Sequence, residues 1–286
     1  MFDEWYALRA NELKESTLLG IKRNFKHLRP IHGYYLDQIT TSDIQKTIMS
    51  STTAVAPKNK RLTLVRQVLS YAQNQGYINR NAASTIPRFV DNKVAQKKKK
   101  FLSIDEVNDI LDDAKSHNIK YYTAIRLLAF SGFRVGELCA LEWDDLKDGT
   151  IYVDKTVIDS EKGLKVTKPK SQSSARKVAL DPETLDILEK FKAFPHRTNF
   201  IFENNNGSFL SPHTLRGFLD KRYKVNPHMF RHTHASLLFK SGVNPKVIQK
   251  RLGHASFQIT MDVYTHLFEE DEADNIEKFF DKINND

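Results

Sequence analysis

The stretch HMFRHTHASLLFKSG, residues 228–242, opens with a dense run of basic and aromatic side chains and continues as an apolar helix. His228 and Arg231 are three residues apart, so a helix carries them on one face. Further on comes LGHASFQITMDVYTHL, 252–267, with His254, Tyr264 and His266. Upstream, SGFRVGELCALEW, 131–143, sets Arg134 at the junction of two apolar helical runs, with Glu137 just after it. Taken singly, each has an ordinary reading. Arg134 can be a solvated helix-start arginine paired with Glu137. His232 is expected to pack or hydrogen-bond behind its neighbours. His228 and His232 have the i,i+4 spacing of a helical metal pair, yet no HExxH pattern, nearby carboxylate or cysteine completes a ligand set.

Toward the N-terminus, Phe2 to about Pro87 reads as helices. Ser16 and Thr17 are expected to cap a helix bearing Leu18, Leu19, Ile21, Phe25 and Leu28, which Pro30 stops. Another helix should begin at Thr41 or Ser42, with Ile44, Ile48 and Met49 on one side. A third follows Pro57, with Leu62, Val65, Leu69, Tyr71 and Ala72 inward and Gly76 near its end. Its other face is read as a cationic surface of Lys58, Lys60, Arg61 and Arg66. DNKVAQKKKK, 91–100, holds few apolar residues and ends in Lys97, Lys98, Lys99 and Lys100, which makes it a basic linker. The expected organisation is therefore a helical domain over 1–90, a linker over 91–100 and a second domain over 101–286.

The second domain opens on a capping box, Ser103 to Glu106. Helices are expected over 121–130 and 135–141. Alternation at Ile151, Val153 and, less cleanly, Val157 then suggests a strand over 150–157, with short strands over 164–167 and 176–180. Together they read as a small antiparallel sheet with a polar hairpin over 168–175. After Asp181-Pro182 the pattern is helical to the end. The last helix, about Glu269 to Ile283, carries Ile276, Phe279, Phe280 and Ile283, which suit the chain's own core or, in the reading favoured here, a neighbouring protomer. The fold class is mainly α with a small sheet, and no internal repeat is found.

Composition fits this reading. The 286 residues exceed what one small core usually needs, and 40% hydrophobic with 28% charged residues excludes a disordered polymer, a collagen-like repeat or a membrane protein. The longest apolar runs, such as 124–130, are interrupted by Arg126 and are too short to span a bilayer. Residues 1–10 have no apolar signal-peptide core. Cys139, the one cysteine, sits among Leu138, Ala140 and Leu141 and is expected to be a buried, reduced thiol, so the cytoplasm is the default compartment. The net charge of +9 is uneven: residues 1–100 hold 18 Lys and Arg against 7 Asp and Glu, and the remainder hold 26 against 28. A basic first third favours a polyanionic partner, because neutralising phosphates releases counterions.

The three stretches 131–143, 228–242 and 252–267, in this order and spacing, resemble the tyrosine recombinase, or phage integrase, family. The resemblance implies a helical, SAM-like core-binding domain and a mixed α/β catalytic domain that together clamp duplex DNA. It implies strand cleavage and rejoining through a covalent 3′-phosphotyrosine, for integration or excision of a mobile element. Tyr264 would be the nucleophile, Arg134 and Arg231 would hold the phosphate, His228 would assist proton transfer and His254 would hydrogen-bond the phosphate. Aligning KPKSQSSARKVAL, 168–180, backward from Arg176 gives Lys170 the role of protonating the leaving 5′ oxygen, with Lys168 as the alternative. Glu137 would hold the neighbouring backbone or an arginine. No cofactor and no metal is implied.

The implied partners are double-stranded attachment sites, a homo-tetramer assembled on DNA from free monomers, and accessory DNA-bending proteins. The arm-binding domain of some relatives is missing ahead of residue 1, as in a simple recombinase or a truncated chain. Two other readings stand beside this one: a type IB topoisomerase that nicks and religates one strand, and a DNA-binding architectural or regulatory protein with idle catalytic residues.

Overall fold

The computed structural model describes residues 1–52, 54–90, 101–168 and 175–261. The chain divides into two compact units, Met1–Lys98 with Asp159–Gly163, and Lys99–Ile158 with Leu164–Asp286.

The first unit contains α1 (Phe2–Ala10), α2 (Glu15–Lys26), α3 (Thr41–Ser51) and α4 (Val55–Asn74). Thr40 and Asp43 start α3 with a capping box. Ser16 and Thr17 do not cap α2; Lys14 is its N-cap residue, with no side-chain bond to the helix start, and both hydroxyl residues lie inside the first turns. Glu15 at that end faces the positive pole of the helix dipole. Ile44, Ile48, Leu62, Val65, Leu69 and Ala72 are buried with Trp5 and Leu28. Met49, expected beside Ile48, is 59% exposed, because Ile44, Thr47 and Ile48 already define the inward face of α3.

The cationic face read onto α4 needs correction. Arg61 is buried and donates to the Ser51 hydroxyl. Its position one turn before Val65 places it on the inward face. Arg66 is half-buried and donates to the carbonyls of Ala83, from Nε at 3.0 Å, and Ile86, tying α4 to the chain that follows. Lys58 is half-buried, its Nζ 5.9 Å from the ring centroid of Phe89. Of the four, Lys60 alone is exposed. Lys97 to Lys100 lie outside the described residues, as does the rest of 91–100.

In the second unit α5 (Ile104–His117) carries the expected capping box: the Glu106 amide donates to Ser103 Oγ at 3.2 Å and the Ser103 amide to Glu106 Oε2 at 2.8 Å. The helix α6 (Ile119–Ser131) is buried on nearly every side, with Ala124, Ile125, Leu127 and Leu128 at its centre, and α5, α8 and α10 pack against it. Its charged residue Arg126 is paired, donating Nη2 to Asp181 at 2.7 Å and Nε to Thr184 at 3.0 Å. The next helix, α7 (Val135–Leu138), stops short of the expected residue 141. Cys139 is fully buried, and burial pushes its thiol up to about 12.

The strands are β1 (Leu146–Lys147), β2 (Thr150–Val153), β3 (Thr156–Ser160), β4 (Gly163–Thr167) and β5 (Arg176–Ala179). The run 150–157 is not one strand: it breaks at Asp154–Lys155, where Lys155 turns back to Glu142 and, at 3.0 Å, to Asp145. The strands also form two small sheets rather than one. Antiparallel β1-β2-β5 pairs Ile151 with Val178 and Val153 with Arg176, while β3 pairs with β4. β4 and β5 thus belong to different sheets among the described residues, and residues 169–174, where the hairpin is expected, lie outside them.

Four helices follow: α8 (Pro182–Lys192), α9 (Pro212–Tyr223), α10 (Pro227–Lys240) and α11 (Pro245–Leu252). Each has proline at its first position and a polar cap before it: Asp181, Ser211, Asn226 or Asn244. Phe239, Ile248 and Leu252 join α10 to α11. The final helix expected over 269–283 lies outside the described residues. No helix among them is long and apolar enough to cross a membrane.

Candidate active site

Gly132 ends α6 in the left-handed conformation, at φ +67°, and a Cβ there would lie 2.6 Å from Leu252 Cδ2 and 2.8 Å from His234 Cδ2. Only glycine lets the end of α6 come this close to α10 and to the end of α11. The approach brings two backbone carbonyls within reach of one guanidinium. Arg231, on α10 and 5% exposed, donates Nη1 to Gly132 O at 2.7 Å and Nη2 to Leu252 O at 2.6 Å. Arg134, the residue before α7, donates Nη2 to Gly253 O at 2.9 Å. Two arginines distant in sequence are thus fastened to the same 252–253 turn.

Glu137 is the carboxylate among them. It accepts from the Arg134 amide at 2.9 Å and from Arg134 Nη1 at 2.7 Å. Its two oxygens also accept from Arg176 Nη1 and Nη2, at 3.1 and 2.9 Å. Arg176 Nε donates to Arg251 O at 2.7 Å, so this guanidinium ties β5 to α7 and α11. Burial alone would raise the Glu137 pKa, but the Arg176 bonds and the charges of Arg176 and Arg134 outweigh it and hold the group below its usual range. Three cations, Arg134, Arg176 and Arg231, influence this one acid. Burial, followed by the charge of Arg134, pushes Arg231 down to about 9, which leaves it cationic at neutral pH. The cluster carries surplus positive charge in a partly desolvated site, an arrangement suited to an anion.

The histidines have separate settings. His228 follows the Asn226 cap and reaches solvent, while desolvation and then the charges of Arg231, Arg216 and Arg134 lower its pKa and keep the ring neutral at neutral pH. His254 is 8% exposed, with Nδ1 2.9 Å from the Thr260 hydroxyl. Burial, then the charges of Arg231 and Arg134, push it down to about 3. His232 does not lie behind the site; it is exposed. That buried position belongs to His234, whose Nε2 accepts from Arg251 Nε at 3.0 Å. Among the described residues no group of three His, Cys, Asp or Glu side chains is placed to hold a metal.

Beside His254 a cleft of about 670 Å³ is lined by Ala175, Arg176, Lys177, Lys246, Gln249 and Lys250. The fold brings Arg134, Arg231, His228 and His254 into one electrostatic neighbourhood. Lys168 is exposed at the end of β4, while Lys170 and Tyr264 lie outside the described residues. Sequence reasoning gave no role to Arg176, Arg251 or Thr260. Arg176 reads there as the start of a strand, and the only signal that singles it out is a basic residue at an inward position of a short apolar run.

Comparison with known proteins shows the family. A profile described as the phage integrase family matches residues 100–271, more than half of the chain, and one described as the phage integrase N-terminal SAM-like domain matches residues 1–51. A tyrosine recombinase of Thermosipho africanus is 26% identical, with 97% of this chain and 98% of the relative covered. The integrase of Staphylococcus phage L54a is also 26% identical, over 94% of this chain and 88% of the relative. Among solved structures, a Tn1549 transposon integrase fragment in complex with a circular intermediate DNA is similar at a TM-score of 0.77, with 21% identity, 97% of this chain and 99% of that chain covered. A lambda integrase tetramer bound to a Holliday junction gives a TM-score of 0.68 at 21% identity, covering 89% of this chain and 76% of that chain. These two likenesses concern the fold.

Proposed function

The chain belongs to the phage integrase family and is a tyrosine site-specific recombinase, and from that premise we propose that it integrates or excises a mobile element by way of a 3′-phosphotyrosine at Tyr264. The observation that carries the mechanism is the anchoring of Arg134 and Arg231 to one turn, next to His254 and His228. In the attack the Tyr264 oxygen bonds to phosphorus while the bond from phosphorus to the 5′ oxygen breaks. Negative charge builds on the non-bridging oxygens, and two guanidiniums held by carbonyls meet it without reorganising. His228, neutral at neutral pH, takes the phenolic proton, and Lys170 gives one to the departing 5′ oxygen. His254 hydrogen-bonds the phosphate. The covalent intermediate conserves bond energy for religation, so this scheme calls for no nucleotide cofactor.

The cationic cleft with Lys177, Lys246 and Lys250 offers a path for the DNA backbone away from His254. Four protomers acting on two attachment sites through a Holliday junction, with accessory bending proteins, complete the proposal, and cytoplasmic DNA is its substrate. The test is incubation with two attachment-site duplexes: recombinant product supports it, relaxation of supercoils alone points to a topoisomerase, and binding alone points to an architectural protein. Tyr264→Phe should bind the same DNA and form no adduct that survives denaturant.

A further inference from the structure

We propose that Thr260 is a positioning residue that fixes the tautomer of His254, with the proton on Nε2. The inference rests on the reading of His254 as a phosphate contact and deepens it.

The argument begins with one hydroxyl. Thr260 is fully buried, and its Oγ1 lies 2.9 Å from His254 Nδ1. That is its hydrogen bond among the described residues. Two arrangements share this distance. If Nδ1–H donates to Oγ1, the threonine proton is left without an acceptor among the described residues, a buried donor unsatisfied at a fully buried side chain. If the hydroxyl donates to Nδ1, both groups are satisfied. The second arrangement prevails, and since the ring is neutral its proton resides on Nε2.

The consequence for chemistry follows from where the ring sits. His254 lines the cleft shared with Arg176, Lys246 and Lys250, and its Nδ1 is taken by the interior. The nitrogen left for an incoming oxyanion is therefore a donor. The opposite tautomer would present a lone pair to a phosphate and repel it. The backbone that carries the ring is fixed as well: the His254 amide donates to Gln249 O at 3.2 Å, and Gln249 Nε2 donates to His254 O at 3.3 Å. Thr260 precedes Tyr264 by four residues, so the segment that bears the proposed nucleophile also carries the group that orients the phosphate donor.

The experiment uses the full-length protein labelled with 15N-histidine, with the His254 resonances assigned from a His254→Gln sample. The parent and Thr260→Ser should show a protonated Nε2 and a hydrogen-bonded, unprotonated Nδ1. In Thr260→Val, which keeps the shape and loses the proton, the Nδ1 signal should move to that of an unbonded ring nitrogen. Cleavage by Thr260→Val should fall at least tenfold at unchanged DNA affinity, with Thr260→Ser within about threefold of the parent. A parent ring protonated on Nδ1 overturns the proposal and needs no variant to fold. So does a Thr260→Val protein whose imidazole signals match the parent's. If the signals move as expected and cleavage is unchanged, the tautomer assignment is upheld and the reading of His254 as a phosphate contact is the part that fails.

Discussion

Arg176 and Glu137 meet as a two-pronged pair sealed from solvent: both side chains are 3% exposed, and each carboxylate oxygen accepts one guanidinium nitrogen. Glu137 simultaneously orients Arg134, so the pair sets the position of the guanidinium proposed to meet the phosphate.

Breaking that pair from one side should be severe. Arg176→Ala leaves a buried carboxylate with half its partners and should cost about 3–5 kcal/mol, read as a lower urea midpoint. The pH dependence has a definite sign. The folded pKa of Glu137 is held below its ordinary 4.5, so its contribution is complete above that value and is lost as pH falls through the folded one. Urea titrations of the parent should weaken across that acid window, and those of Glu137→Gln should weaken less.

The corrected geometry of α4 separates two cations adjacent in sequence. Lys60→Ala should flatten the slope of log affinity against log salt by up to about one unit, as removal of a phosphate contact does. Arg61→Met should leave that slope alone and hold or raise the melting temperature, because burial already disfavours the Arg61 charge and its Nε has no partner among the described residues. Replacing Lys97 to Lys100 together tests the linker by the same measurement, and an unchanged slope would remove it from the DNA path.

The leaving-group role can be read with a substrate whose 5′-bridging oxygen is sulfur, a leaving group that needs little help from an acid. Lys170→Ala should be crippled on ordinary DNA and largely rescued on the sulfur substrate. Arg134→Ala, short of charge stabilisation on the phosphate, should lose about 100-fold or more in cleavage and not be rescued to the same extent. Rescue of Lys168→Ala in place of Lys170→Ala would shift the assignment by two residues.

The His228 proposal makes a kinetic statement. With its pKa below the usual 6.5, the acid limb of single-turnover cleavage should lie below pH 6.5. Arg216 contributes to that depression, so Arg216→Gln should move the limb upward. A limb that stays in place would detach it from His228.

Arg134, Arg231, His228 and His254 were legible because each sits in a short stretch with its own pattern, and chain order then sufficed. Arg176 was not: its meaning comes from Glu137, 39 residues earlier, and from Arg251 O, 75 residues later. Arg61 had a signal that went unread, since its one-turn spacing to Val65 marks the inward face and a positive charge argued the other way. The strand over 150–157 was overdrawn because alternation says nothing of Lys155 being drawn to Glu142 and Asp145. His232 was read as the inward histidine where the structure buries His234, as two histidines of one amphipathic turn differ only by which side the rest of the protein covers.

Apart from the Glu137 carboxylate on Arg134, the oxygens that hold Arg231 and Arg134 belong to Gly132, Leu252 and Gly253, and these three are main-chain carbonyls. Every amino acid carries such an oxygen. Outside Gly132 and Glu137, side chains around the turn can therefore drift over generations without moving a guanidinium, provided the path of the backbone is kept. The vulnerabilities are Gly132, where any side chain would push the end of α6 off Leu252 and His234, and chain length: one residue inserted or deleted between Ser131 and Arg134, or between Leu252 and His254, would turn a carbonyl away and unfasten an arginine.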